Sequence, residues 1–403
     1  MRKGLSVLLA CTMLVGATAP VKANAVTTYQ TISIGAFAKK LQKVSKAKDS
    51  DLFLKGEFKN KKKAINNGEA ALLVNRADEV MNGKNYNKKL YKAVSEKYRL
   101  TGILKLGEKK QDAIKKCFVK GLMLGYSNGE YSQDRSFKPS YKLTVPEAHK
   151  ILVRLENKTK RVKLSPDGQV TRTTNLPKNY KDYAYILASF PNSFYEKKTE
   201  YESTKWGKKP KEFEDYTRPK NLRKKTFTSY WGTKYKMSEE LDKYQDFWCK
   251  KVEDNLRLRL SFDYQTVSNQ WMNELRKTYI IYGNKEMDKD KPKYIRKYAN
   301  LAKKNKVKLQ VQQVVVEPST MYEHHGVWVR AHVRFKLCSA NQFYSANSGN
   351  QNYLIYGSYI SLQNWTPNKW YEGDFDLQLT QNNMEYDGST YGISDDILSD
   401  WEE

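Results

Sequence analysis

Residues 65–78 and 143–156 carry one pattern twice, and this repeat limits the N-terminal third of the chain more than any other feature. In each copy an aliphatic residue (Ile65, Leu143) stands three residues ahead of a helical run. Then come Glu-Ala (Glu69-Ala70, Glu147-Ala148), an aliphatic pair and an arginine (Arg76, Arg154). Glu in a first turn complements the helix dipole, and aliphatics spaced three and four apart make one apolar face. A single such helix cannot bury that face alone, so tandem copies must pack on one another. The spacing predicts helices over 37–44, 68–80, 111–124 and 146–156, giving an all-α repeat module over 35–157. Gly125 is the expected left-handed end of the third helix, and Thr144 the N-cap of the fourth.

The pattern changes further along. Residues 158–237 read as a basic, partly ordered linker with a turn at Pro166-Asp167-Gly168 and a short helix near 180–189. Ser238-Glu-Glu-Leu opens a long helix to about Asn255. Leu256, Leu258, Leu260 and Phe262 then alternate with Arg257, Arg259 and Ser261, which is strand periodicity. Helices are expected over 267–281 and 293–304, and strands over 307–316, 327–337, 353–362 and 371–379. Helices followed by antiparallel strands make residues 238–403 an α+β domain, with a cystatin-like or nuclear-transport-factor-like curved sheet as the expected form. The tail after Lys369 holds ten acidic residues and no basic one.

The N-terminus has the three parts of a secretory signal peptide over residues 1–25: Arg2-Lys3, an apolar run from Leu5 to Ala17, and Ala23-Asn24-Ala25. That run is shorter than the roughly 20 residues a bilayer span needs, and no later segment is more apolar. Its removal takes Arg2, Lys3 and Lys22 and no acid, leaving 69 basic and 44 acidic side chains, a net of +25. Such an excess implies a polyanionic partner. For an exported chain this is an anionic wall polymer or a phospholipid surface rather than nucleic acid. The cysteines left, Cys117, Cys249 and Cys338, are odd in number and widely spaced, which is no disulfide framework.

Gly125-Tyr-Ser-Asn-Gly129, Phe137-Lys-Pro139 and Leu143-Thr-Val-Pro-Glu-Ala148 together resemble the S-layer homology domain. Phe58 through Ala70 looks like a worn second copy. The resemblance covers about 120 residues and implies a small helical prism that attaches a secreted protein to secondary polymers of a Gram-positive-type wall, often through pyruvylated sugars. The family's Arg two residues after the aliphatic is Asn67 in one copy and Val145 in the other, and six extra residues separate Gly129 from Phe137.

With that Arg replaced, the cations expected to hold polymer are Lys138 and Lys142 before one helix start and Lys61, Lys62 and Lys63 before the other. Tyr126 offers a ring face for a sugar. Lysines beside free helix N–H groups suit an anion. A second basic face is expected on the C-terminal sheet from Arg257 and Arg259 on one strand and Arg330, Arg334 and Lys336 on another. His324-His325 lacks ligand spacing, so no metal is expected. No nucleophile elbow, P-loop or dinucleotide fingerprint occurs, so neither a cofactor nor a catalytic set is expected. The expected function is non-covalent attachment to an anionic cell-wall polymer at the cell surface, with the C-terminal domain displayed to bind. The alternatives are a wall-associated hydrolase with a catalytic C-terminal domain, and a surface scaffold for protein partners.

Overall fold

In the computed structural model, residues 30–203, 216–228, 232–341, 366–381 and 388–394 are described; the signal segment and the expected strand over 353–362 lie outside them. The N-terminal module is organised by a closed ring of backbone hydrogen bonds. Ile65 N–H donates to Ile32 C=O (3.0 Å), Leu143 N–H to Ile65 C=O (2.9 Å), and Ile32 N–H to Leu143 C=O (3.1 Å). Each of these buried aliphatics is followed at once by an N-cap: Ser33 for α1 (Ile34–Ser45), Asn66 for α2 (Asn67–Asn82) and Thr144 for α5 (Val145–Glu156). A second ring runs outside the first, since Ile34, Asn67 and Val145 donate to Lys63, Tyr141 and Gln30, each at 2.9 Å. The module is therefore a pseudo-threefold arrangement of three helix starts. The sequence repeat marks two of them, and the copy at Ile32-Ser33 is new.

Helices α3 (Lys88–Glu96) and α4 (Glu108–Val119) fill the space between copies. Helix α4 ends earlier than its periodicity predicts. Gly121, at φ 68°, turns the chain where a Cβ would stand 2.1 Å from the Val162 carbonyl, so the left-handed end falls there. Gly125 is also left-handed (φ 65°), in the following turn, where the chain passes Ser136.

The C-terminal part is α+β. Helices α6 (Met237–Leu260), α7 (Asn269–Thr278) and α8 (Asp290–Lys304) pack on one antiparallel sheet. Its strands run in chain order across the sheet: β1 (Phe262–Asp263), β2 (Lys308–Glu323), β3 (Val327–Ser339), β4 (Trp370–Thr380) and β5 (Gly392–Ile393). Val329, Ala331, Val333, Phe335 and Leu337 line the inner face of β3 against Trp248, Val252, Leu256 and Leu260 of α6. Of the alternation read as a strand at 256–262, residues 256–260 are the last turn and a half of α6, and Phe262 alone lies on a strand, β1. Leu and Arg are good helix formers, and Glu253–Arg257 (2.8 Å) supports the helix at i, i+4.

The other sheet face is covered as well. Tyr183, Ile186, Leu187, Phe190, Phe194 and Tyr195 form a small core with Val315 of β2. The helix expected near 180–189 is a single 3₁₀ turn, Tyr180–Asp182. Beyond it the backbone donors bond elsewhere: Leu187 N–H to the Tyr195 hydroxyl (2.9 Å) and Ala188 N–H to Val170 C=O (2.8 Å). Residues 129–134, inserted in the second repeat, dock here too. The Tyr131 ring stacks on His332 at 3.5 Å and 6°, and Gln133 donates to Val316 C=O (3.3 Å). Among the described residues no helix is long and apolar enough to cross a membrane.

Candidate functional site

A cleft of about 240 Å³ opens between the second and third copies of the threefold module, lined by Asn67, Tyr126, Arg135, Glu147, Lys150 and Arg154 among others. Each polar side chain is placed by a local constraint. Arg154 sits in the last turn of α5, and its guanidinium reaches back to Leu122 C=O (3.2 Å). Arg135 lies on the two-residue strand Arg135–Ser136, held between Leu100–Thr101 and Tyr126–Ser127. Its Nε and Nη2 donate to the carbonyls of Leu124 (2.9 Å) and Gly125 (3.1 Å). Neither arginine has a carboxylate within 4.0 Å among the described residues. Burial holds both guanidinium groups below their ordinary pKa, and Arg154 beside it lowers Arg135 further.

The one carboxylate in the cleft is already engaged. Glu147 accepts from the Thr144 N–H (2.9 Å), the Thr144 hydroxyl (2.8 Å) and the Tyr126 hydroxyl (2.9 Å). Burial alone would push its carboxyl up, but those hydrogen bonds outweigh it and hold the group below the usual value. Asn67, at the position where the resembled family carries Arg, donates Nδ2 to Tyr126 Oη (3.3 Å) and to Lys138 C=O (3.2 Å). It fixes the tyrosine, so the cleft's positive charge comes from Arg135, Arg154 and Lys150 instead. An electropositive, half-buried concavity with spare N–H donors suits an anion that can take planar, charge-assisted hydrogen bonds.

The residues expected from the sequence divide around this cleft. Tyr126 lines it, and Lys138 stands behind, its Nζ 5.0 Å from the ring centres of both Tyr126 and Tyr141. Lys142 is exposed outside the lining. Lys62 and Lys63 are exposed on the first interface of the ring, and Lys61 pairs with Asp49 (2.9 Å) over the Phe53 ring. The helix starts beside these lysines offer no spare donors. Ile34, Gly35 and Ala36 bond to Lys63 C=O, Lys61 C=O and Ser33 Oγ, while Asn67, Gly68 and Glu69 bond to Tyr141 C=O, Pro139 C=O and Asn66 Oδ1. In α5, Val145 N–H is taken by Gln30, Pro146 has none, and Glu147 N–H meets Thr144 Oγ1. The ring consumes the groups that an anion at a helix N-terminus would need.

No family model, curated protein or solved structure matches this chain.

The second basic face does not form. Arg257 and Arg259 lie on α6, two apart on a helix, and point to different sides. Arg257 pairs with Glu253, while Arg259 is 1% exposed and donates to the Tyr279 hydroxyl (3.2 Å). Arg330 is also 1% exposed; it forms a two-point ion pair with Asp376 (2.6 and 3.0 Å) under the layer that carries Phe194. Arg334 meets Glu372 (3.3 Å), and Lys336 lies 4.9 Å from the Trp370 ring centre. The acids of the tail thus neutralise the basic strand, because β4 runs directly opposite it.

Sequence reasoning missed Arg135, which directly follows the inserted residues, and passed over Arg154, the conspicuous Arg of the repeat, as part of a helix pattern. The usable signal was the repeat itself, since Arg76 and Arg154 are equivalent. Arg76 is neutralised by Glu57 (2.6 and 2.8 Å), and among the described residues no acid takes that part beside Arg154.

Among the described residues no group of three or more His, Cys, Asp or Glu is arranged to hold a metal. Cys117 is buried with its thiol toward Ala71 C=O (3.4 Å), and burial pushes the Cys249 thiol well above its ordinary pKa. His332 Nδ1 lies 2.8 Å from Asp374, but the ring is stacked under Tyr131 and 3% exposed, which leaves no room for a substrate.

Proposed function

We propose that this chain is an exported envelope protein that attaches non-covalently to an anionic wall polymer through the Arg135–Arg154 cleft of an S-layer-homology-like module. One observation carries the reading: two half-buried guanidinium groups converge in a concave cleft without a carboxylate partner among the described residues. Burying like charges together is costly unless something supplies the counter-charge, and an acidic sugar does so with two acceptor oxygens. The three helix starts joined in a ring support the resemblance, since tandem copies of that family build a helical prism. The polymer's anion is held by Arg135 and Arg154, its sugar ring rests on Tyr126, and Lys150 at the rim adds attraction. The C-terminal α+β domain is carried at the cell surface and faces protein partners.

Co-sedimentation with purified wall sacculi tests this. The full chain is expected to pellet with polymer-bearing walls and to stay soluble once the secondary polymer is chemically removed. Arg135→Ala combined with Arg154→Ala should release it, whereas Lys62→Ala combined with Lys63→Ala should not. Equal pelleting of the arginine double variant and the parent would end the reading.

A further inference from the structure

Helix α8 shows an unusual distribution of charge. Lys293, Arg296, Lys297, Asn300, Lys303 and Lys304 fall within about 120° of arc at 100° per residue. The opposite side, Ile295, Tyr298, Ala299 and Ala302, is buried in the core of the α+β domain. Among the described residues none of the five cations on this face has a carboxylate within 4.0 Å, and Asp290 is the only acid in the helix. Exposed cations on the other helices are paired within their helix only in part, and α1 carries Lys39, Lys40 and Lys43 with no acid. Lys250–Asp254 (2.9 Å) and Arg257–Glu253 on α6, Lys277–Glu274 (2.7 Å) on α7, and Lys116–Asp112 (2.7 Å) on α4 are all paired within their helix. Lys293 sits in the first turn of α8, where a cation opposes the helix dipole, and it faces Arg296 and Lys297 at the spacings where like charges repel. Lys303 and Lys304, in the last turn, complement the dipole, but helix formation does not explain Lys293, Arg296 and Lys297, whose counter-charge a polyanionic partner would supply.

We infer that this face of α8 is a docking tract for a linear polyol-phosphate polymer of the envelope, separate from the Arg135–Arg154 cleft. The face is narrow and about 17 Å long between residues 293 and 304. Lys293, Arg296 and Lys297 form one cluster, and Lys303 and Lys304 form a second about 9 Å further along the axis beyond Asn300, so the face meets a chain of phosphodiesters at two points. The side chains on it are Lys, Arg and Asn. No apolar group projects there for insertion among lipid tails, and no aromatic ring is offered on which a nucleobase would stack. Recognition here is electrostatic and repetitive, so the tract tolerates sliding of the polymer, whereas the cleft takes one sugar at a time.

The test uses the full chain and purified poly(glycerol phosphate), with affinity measured across a series of NaCl concentrations. The combined variant Lys293→Gln, Arg296→Gln, Lys297→Gln should lower the slope of log K against log salt by about two. A control of equal charge, Lys39→Gln, Lys158→Gln, Lys160→Gln, removes exposed lysines from the other module and should leave the slope close to that of the parent. Arg135→Ala with Arg154→Ala should also leave it unchanged, so failure of the tract and failure of the cleft are read separately. Equal loss in the α8 and control variants would reduce the effect to overall charge and overturn the inference. So would no loss in the α8 variant, or binding to phosphatidylglycerol vesicles without binding to the polymer.

Discussion

Arg330 and Asp376 lie directly opposite on β3 and β4, and their side chains close a two-point ion pair with side-chain exposures of only 2% and 3%. The next same-face positions on the strands repeat the match, His332 with Asp374 and Arg334 with Glu372, each step nearer to solvent. The ladder fixes the register of the sheet by charge, because a one-residue slip would set these side chains on opposite faces. It also holds the covering layer, since Arg330 Nη1 donates to the carbonyls of Phe194 (2.8 Å) and Lys197 (2.9 Å).

The burial gradient sets the expected costs. Asp376→Ala leaves a guanidinium buried without its partner and should cost about 3–5 kcal/mol. Glu372→Ala breaks an exposed pair and should cost less than about 1 kcal/mol. Urea unfolding of the two variants checks the ordering. A similar cost for both would mean that the ladder's burial does not govern its contribution.

The sequence shows both halves of this ladder, a basic strand and an acidic tail, but periodicity cannot say which strands lie side by side. Cross-strand pairing is a long-range relation, so Arg330 reads as a solvent-facing cation until its neighbour is known. The third copy of the repeat was hidden for a local reason. Ile32-Ser33 has the aliphatic and the N-cap, yet Ala36 stands where Glu69 and Glu147 close capping boxes, and the Glu-Ala signature is lost. The helices at 67–82 and 145–156 were legible because apolar spacing and capping agree there. At 256–260, two-residue alternation and helix propensity disagreed, and packing of Leu256 and Leu260 beside Val252 decided for helix.

Tyr131 joins the two parts of the molecule through its stack on His332, its N–H bond to Ser189 C=O (2.7 Å) and the Gln313 side chain on its carbonyl (3.3 Å). Tyr131→Ala keeps the backbone bonds and removes the ring. A double-mutant cycle with His332→Ala should give a coupling of about 1 kcal/mol. Limited proteolysis should cut Tyr131→Ala faster near residues 129–134, with the three helix starts unchanged in hydrogen exchange. A coupling of zero would show that the stack is adjacency without energy.

Glu317 supplies a pH dependence of known sign. It is fully buried on β2, accepting from Ser319 Oγ (2.9 Å) and Thr320 N–H (3.1 Å), and burial, with Asp167 adding, pushes its carboxyl up to about 8. Its ordinary value is 4.5, so between pH 4.5 and about 8 the folded chain keeps a proton that the unfolded chain has released. Stability should therefore fall as pH rises through that window and level off above it. Glu317→Gln keeps a neutral side chain of the same shape and should flatten this part of the profile. Thermal melts of both proteins from pH 5 to about 9 measure it, and identical profiles would remove Glu317 as the source.

Arg76 and Arg154 occupy equivalent positions in two copies of one repeat, so they serve as each other's control. Arg76 spends its charge on Glu57 and on Leu52 C=O (2.7 Å), a closed local network. Arg154 has a single carbonyl partner and a like-charged neighbour in Arg135. If the repeat position serves structure alone, Arg76→Gln and Arg154→Gln should cost comparable stability and neither should alter polymer binding. If Arg154 is kept for a ligand, the two separate. Arg76→Gln should then cost about 1–3 kcal/mol by unpairing a half-buried carboxylate, with wall retention intact. Arg154→Gln should cost less than about 1 kcal/mol, because relief of the Arg135 repulsion offsets the lost hydrogen bond, and wall retention should drop about tenfold or more. Unfolding and sacculus binding on these two variants read both outcomes, and the reverse pattern would place the binding function at the Glu57 copy instead.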